Sequence, residues 1–245
     1  MDSALQLGFL SGYEGVKRRL ENHAAKLSLE ERYKDIDLKY LTQRLDHFTP
    51  PSVTDTWKQL YAENFEHYGG NNLIFLMIGG ESSITPDWLR RSFMAKQAEK
   101  FKAATFTTEH RFYGKSIPRD LSIESLKYLS SEQALADLAH FITQMNIKHG
   151  FKNPKWIVFG GSYAGSLAAW LRYRYPHLVH AAVSSSGPLL AKVDFHGVAH
   201  CADMMPDQDT DSQPLKKARA RISRMLERWM KAKTSEDEEL SLADF

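Results

Sequence analysis

The chain has 245 residues, of which 42% are hydrophobic, 25% charged and 11% aromatic, and its formal net charge is +2. That is the composition of a globular protein large enough for one sizeable domain or two small ones, with no strong electrostatic drive toward nucleic acid or an acidic membrane surface. The single cysteine, Cys201, excludes an internal disulfide framework, and no run of about 18 apolar residues marks a membrane span.

The first stretch, MDSALQLGFLSGYEGVKRR, is a poor secretion signal, because Asp2 stands where a basic region belongs and ALQLGFL is barely long enough for an apolar one. The chain also lacks an N-x-S/T sequon. It reads as cytosolic, or as a chain that has lost its leader, and the compartment stays open. Residues 12–35 are polar with loose helical spacing. YLTQRLDHF (40–48) and WKQLYAENF (57–65) are candidate strands separated by the breaker TPPS. After the turn GGNN, the run NLIFLMIGG (72–80) has the unbroken apolar character of a strand covered on both faces.

An amphipathic helix is expected at about 87–101 (DWLRRSFMAKQAEKF), then a second apolar run at 103–114 (AATFTTEHRFYG). Ser130 followed by Gln133 forms a capping box for a helix that stops at Gly150. KWIVFG (155–160) is a third buried strand, SYAGSLAAWLRYRY a helix ended by Pro176, and LVHAAVSSSG (178–187) a fourth strand. There are no internal repeats. Strands alternating with helices imply an α/β fold of parallel βαβ units with right-handed crossovers, which puts Ser162 on the sheet edge where ligands bind.

Beyond Phe195 the texture changes. HGVAHCADMMPDQDTDSQP is a polar loop, and LKKARARISRMLERWMKA is an amphipathic helix with Leu215, Ala218, Ile222, Met225, Leu226 and Trp229 on its apolar side. Its basic face (Lys216, Lys217, Arg219, Arg221, Arg224, Arg228) is better explained as the solvated side of a packed helix than as a nucleic-acid surface. TSEDEELSLADF is an acidic tail expected to be disordered.

Ser162 lies in FGGSYAG, where a strand turns into a helix. A serine hydroxyl is a weak nucleophile until a base takes its proton, and the nucleophile elbow presents it to one through a sharp turn that leaves no room for side chains two residues before and after. Gly160 and Ala164 occupy those positions, with Gly161 and Gly165 adding clearance; alanine in place of glycine at 164 is a mild departure. Such a turn aims the Tyr163 amide into the pocket at a helix N-terminus, which favours developing negative charge. The competing reading is that Ser162 is an ordinary N-cap.

LDHF (45–48), IGGES (78–82) with EHRFYGKSIP (109–118), and FGGSYAGSLAAWLRYRYPH (159–177) carry a resemblance, continuous over about 40–195, to the S28 serine peptidases of prolyl carboxypeptidase and dipeptidyl peptidase type. The resemblance implies an α/β-hydrolase fold with a mostly parallel sheet and cleavage of peptides next to proline. It makes Ser162 the nucleophile, with Tyr163 and the turn at Gly79 and Gly80 supplying oxyanion-hole amides. Ser82 stands where the family usually has glycine, which bears on the geometry of that turn. His110 and Arg111 follow a strand in a motif the family does not use as its base, so they are read as structural.

The segment VAHCADMMPDQDTDSQPLKKARARISRMLERWM resembles the C-terminal end of the same family, and by that match His200 is the catalytic base. The family's helical cap domain and last strands lie between the two matching parts, and so does the acid of the triad, in a GDxDPW-like stretch that this sequence lacks. The join falls between Phe195 and His196. Chain length agrees: only 37 residues (163–199) separate Ser162 from His200, a helix and a strand consume most of them, and one parallel crossover alone needs about a dozen. Asp194 is the only carboxylate between the two and a weak candidate for the acid; Asp203 and Asp207 lie too near His200 to presume orienting geometry.

The expected organisation is therefore an N-terminal helical extension (1–39), the N-terminal part of a hydrolase domain (40–195), its histidine loop and closing helix (196–233), and the tail (234–245). The expected function is a serine-type exopeptidase, weakly active or inactive as it stands. The alternative is a catalytically dead isoform, misfolded or acting as a binding partner. A peptide is the expected partner, without nucleic acid, metal or cofactor. An unprotected edge at the 178–185 strand invites self-association.

Overall fold

A computed structural model describes residues 36–190 and, within a helical stretch further on, Ala220, Ser223, Arg224, Leu226, Glu227 and Arg228. The helix expected at 12–35, Asp194, the join after Phe195, His200, Asp203, Asp207 and the acidic tail lie outside the described residues.

The elements run β1 (Leu38–Arg44), a single 3-10 turn (Pro51–Val53), β2 (Thr56–Asn64), β3 (Leu73–Ile78), α1 (Asp87–Arg90), α2 (Phe93–Phe101), β4 (Ala104–Thr108), α3 (Ile123–Leu126), α4 (Ser131–His149), β5 (Lys155–Gly161), α5 (Tyr163–Arg174) and β6 (Val179–Ser185). They form one six-stranded sheet in the order β1-β2-β4-β3-β5-β6. β2 runs antiparallel to both its neighbours, and β4, β3, β5 and β6 pair in parallel. A chain that makes only right-handed crossovers must change face when it changes direction across the sheet. From β3 to β4 it steps one way; from β4 over β3 to β5, and on to β6, it steps the other.

Accordingly α4 and α5 cover one face, where Phe141, Ile142, Leu167 and Leu171 pack on Ile74, Leu76, Phe106, Trp156 and Val158. α1 and α2 cover the other, where Leu89, Met94 and Ala98 meet Leu73, Phe75, Ile157 and Phe159. β3 is apolar on both sides for this reason, and the reversal opens a crevice at the carboxyl ends of β3 and β5. This is the α/β-hydrolase arrangement that the resemblance implied. Within the described residues β6 is the sheet's outer strand, with Val179 buried and Ala181, Ala182 and Val183 half-buried. Leu226 is buried in the α2 face, where Ser223 and Glu227 bond Gln97 and Lys100 of α2, while Arg224 and Arg228 are exposed.

Four elements differ from the sequence reading. The helix expected at 87–101 is two helices, because the Ser92 hydroxyl accepts from Ala95 N at 3.0 Å and so starts a second helix, while donating to Trp88 O at 2.6 Å. The strand expected at 103–114 ends at Thr108, where EHRFYG turns away, and that expected at 40–48 ends at Arg44. α3 was not expected; Ser122 caps it by accepting from Ser125 N. The Ser130 cap on α4 is present, with Gly150 ending the helix at φ 64°, but the box is only half made. Gln133 turns outward instead, accepting from His47 N at 3.0 Å and donating to Asp46 at 2.7 Å.

That diversion belongs to a buried polar network. Arg111, 0% exposed, donates through Nε and Nη2 to the two carboxylate oxygens of Asp137 at 2.7 and 2.8 Å, and through Nη1 to the carbonyls of Leu45 and Tyr128 at 3.0 and 2.9 Å. His47 Nε2 lies 2.7 Å from the same carboxylate. Gln43 and Gln59 continue the chain to Asp137 O and Glu109 O. LDHF and EHRFYG are thus held to α4 by the pair Arg111–Asp137, which gives Arg111 the structural role read from the sequence. Arg111→Leu strands a buried carboxylate and should lower unfolding free energy in urea by about 3–5 kcal/mol, with Arg111→Leu/Asp137→Leu losing less than the single variant.

Candidate active site

At the end of β5 the backbone turns sharply into α5. Ser162 has φ 56° and ψ −132°, and its side chain makes no capping hydrogen bond, so the ordinary N-cap reading is set aside. A left-handed φ at a serine costs about 1–3 kcal/mol and persists only where surroundings hold it. Here Ser162 N donates to Ser185 O at 2.9 Å, and Ser162 O accepts from Gly165 N and Ser166 N at 2.8 and 3.2 Å.

The glycines around it are not equivalent. A Cβ on Gly160 would sit 2.0 Å from Ala164 O, and one on Gly165 would lie 2.8 Å from Ser185 O, so both are required by close backbone approach. Gly161, expected to add clearance, has nothing within 4 Å of an added Cβ among the described residues. Ala164 is accommodated: its Cβ lies 3.5 Å from the place a Cβ on Gly80 would take.

Across the crevice, the loop after β3 brings Gly80 beside the start of α5. The turn at Gly79 and Gly80 offers one amide rather than two. Gly79 N is already bonded to Thr108 O at 2.9 Å, whereas Gly80 N makes no hydrogen bond among the described residues. Ser82 is not among the positive-φ positions, so a serine is compatible with this turn. Ser162, Gly80 and Gly161 line a cavity of about 640 Å³ whose apolar walls include Met77, Trp88, Phe93, Met94, Phe159 and Val183. Thr107 also lines it, and its buried hydroxyl has no hydrogen-bond partner among the described residues.

Behind the elbow, the Tyr163 hydroxyl lies 2.9 Å from Ser131 Oγ and 3.2 Å from His110 Nε2, and His110 Nδ1 lies 2.7 Å from Arg111 O. Burial pushes His110 below its ordinary pKa and Tyr163 above its own. Sequence reasoning found neither this chain nor the Thr107 hydroxyl; Ser131, next to the cap, was the one available hint. Of the expected site residues the structure brings together Ser162, Tyr163 and Gly80, while His200 and Asp194 fall outside the described residues. Among the described residues no group of three or more His, Cys, Asp or Glu could hold a metal, and no helix is long and apolar enough to cross a membrane.

Comparison with known proteins gives a match to the family model for serine carboxypeptidase S28 over residues 43–198. A putative serine protease of Caenorhabditis elegans is 44% identical over 198 residues, which is 79% of this chain and 36% of that protein. The thymus-specific serine protease of Mus musculus is 45% identical over 64% of this chain and 31% of its own length. The lysosomal Pro-X carboxypeptidase of Bos taurus is 38% identical over 71% and 35%. The chain spans about a third of the length of the curated relatives it matches.

Two outcomes follow from the site's geometry. Gly160→Ala should abolish the elbow and destabilise the fold by several kcal/mol, as overpacking against backbone does, whereas Gly161→Ala should shift the thermal midpoint by no more than an ordinary surface change; thermal unfolding of both variants checks this. Because the folded His110 titrates below its ordinary value of 6.5, its contribution to stability is intact above that pH. It is lost as pH falls through the folded value, the unfolded chain taking the proton first. Urea midpoints measured between about pH 8 and 5 should therefore fall less steeply in His110→Gln than in wild type.

Proposed function

The chain belongs to the serine carboxypeptidase S28 family, and from that premise we propose that it is a serine-type exopeptidase in which Ser162 is the nucleophile. The observation that carries this reading is the left-handed, uncapped backbone of Ser162 at a strand-to-helix turn. In the reaction Oγ attacks the scissile carbonyl, its proton passes to an imidazole, and the oxyanion is received by the amides of Tyr163 and Gly80. Collapse of the adduct returns that proton to the leaving amine and leaves an acyl-enzyme, which water hydrolyses by the same route. His200 is the proposed base on the resemblance of its segment, VAHCADMM, to the family's C-terminal end; the family-model match itself ends at residue 198.

Peptides cleaved next to proline are the proposed substrates, in keeping with a relative named for Pro-X carboxypeptidase activity. The apolar cavity beside Ser162 suits an uncharged residue at the scissile bond.

One observation favours a second reading, a catalytically silent form. Only 37 residues (163–199) separate Ser162 from His200, too few for the strand that carries the acid in the order serine, acid, histidine. Without an acid to orient the histidine, turnover falls by about 10⁴-fold in a comparable triad. A fluorophosphonate probe separates the two readings. Slow labelling of the wild-type chain, absent in Ser162→Ala, is the result expected of a working nucleophile; a soluble monomer that takes no label would establish the silent form.

A further inference from the structure

Resting on the reading of the Tyr163 amide as an oxyanion donor, we infer that the Tyr163 side chain is a positioning residue, clamped through its hydroxyl to Ser131 and His110 so that its own backbone N–H is aimed into the crevice. The need for such a restraint comes from Ser162. Its strained backbone is held on one side by the bond from Ser162 N to Ser185 O at 2.9 Å, and the first helical residue, Tyr163, is where the other side can be held.

Three chain segments meet at the hydroxyl. Ser131 Oγ, on the first turn of α4, lies 2.9 Å away, and His110 Nε2, in the loop after β4, lies 3.2 Å away. The two rings lie 5.5 Å apart, and the Tyr113 ring meets His110 edge-on at 5.3 Å.

The direction of the chain follows from its far end. Arg111 O is a carbonyl and can only accept, so His110 Nδ1, 2.7 Å from it, carries the ring proton. In the neutral ring Nε2 then holds a lone pair. Tyr163 O–H donates to it, and the phenol oxygen accepts in turn from Ser131 O–H. Each bond of the chain then has one defined donor and one defined acceptor. Arg111 itself is held by Asp137 at 2.7 and 2.8 Å, so the clamp ties the turn of the elbow to a fully buried ion pair. A tyrosine acting only as packing would need neither bond, and phenylalanine would serve as well.

The test is the rate of Ser162 phosphonylation across a set of variants, with thermal unfolding of each as a control. Tyr163→Phe should slow the limiting rate about tenfold or more, because displacing a catalytic donor by a fraction of an ångström is costly, while the probe concentration giving half-maximal rate stays unchanged. His110→Ala should match it, His110→Gln should recover part of the loss by offering an acceptor near the Nε2 position, and Tyr163→Phe/His110→Ala should be no slower than either single variant. If wild type and Tyr163→Phe react equally fast, the clamp is overturned and the nucleophile stands. If wild type does not react, the nucleophile reading falls, and the imidazole 15N spectrum decides the clamp without activity. A neutral His110 protonated on Nδ1, whose Nε2 resonance moves in Tyr163→Phe, supports the clamp; the opposite tautomer or an unmoved resonance overturns it.

Discussion

A guanidinium cut off from water must have its hydrogen bonds supplied by the chain, and Arg111 takes them from Leu45, Tyr128 and Asp137, segments far apart in sequence. Placing two opposite charges in a low-dielectric interior is tolerated only when every donor finds a partner, so these three segments are drawn to one point. Asp137 holds α4 there, Leu45 holds the chain leaving β1, and Arg111 orients the loop that carries His110. From His110 the constraint passes to Tyr163 and to the elbow. The polar interior, and not the apolar sheet alone, joins the site to the fold.

The apolar sheet does a different task. β3 and β5 pair side by side, and Met77 of β3 stands in register with both Thr107 and Phe159, so the loops that leave the two strands depart from one level toward opposite faces. That divergence makes the crevice in which Gly80 and Ser162 face each other. A glycine-rich loop on one strand and a strained serine on the other become a single site only because the chain reverses direction between them. The apolar walls come from β3, β5 and β6 together with α1 and α2, whose break at Ser92 adds Phe93 and Met94 to the lining.

What could be read in the sequence followed from local chemistry. The unbroken apolar runs at 72–80 and 155–160 announced buried parallel strands, and the spacing of small residues around Ser162 announced the elbow; both depend on neighbours within a few positions. What could not be read depends on partners distant in the chain. Ser130 with Gln133 has the pattern of a reciprocal box, yet Gln133 finds Asp46 and His47 across the fold. The split at Ser92 was hidden because the apolar spacing of 87–101 is continuous even though a serine can begin a new helix. Gly161 looked like its neighbour Gly160, and only the approach of Ala164 O separates them. The small residues favoured an elbow over a cap at Ser162 without excluding the cap, because both follow a strand with a serine, and the backbone angle with the missing cap bond set the cap aside.

The junction of β6 with the elbow has a further consequence. Ser185 closes the turn by accepting from Ser162 N, Gly187 lies so close to Ser166 N that a Cβ there would be 2.8 Å away, and Pro188 O accepts from Ser166 Oγ at 3.1 Å. The serine's posture is therefore completed by chain that comes 23 to 26 positions later, 185–188 against 162. This sets a limit on dissection: an excised piece ending at the helix would carry the signature motif intact in its letters and lose the shape that gives the motif meaning.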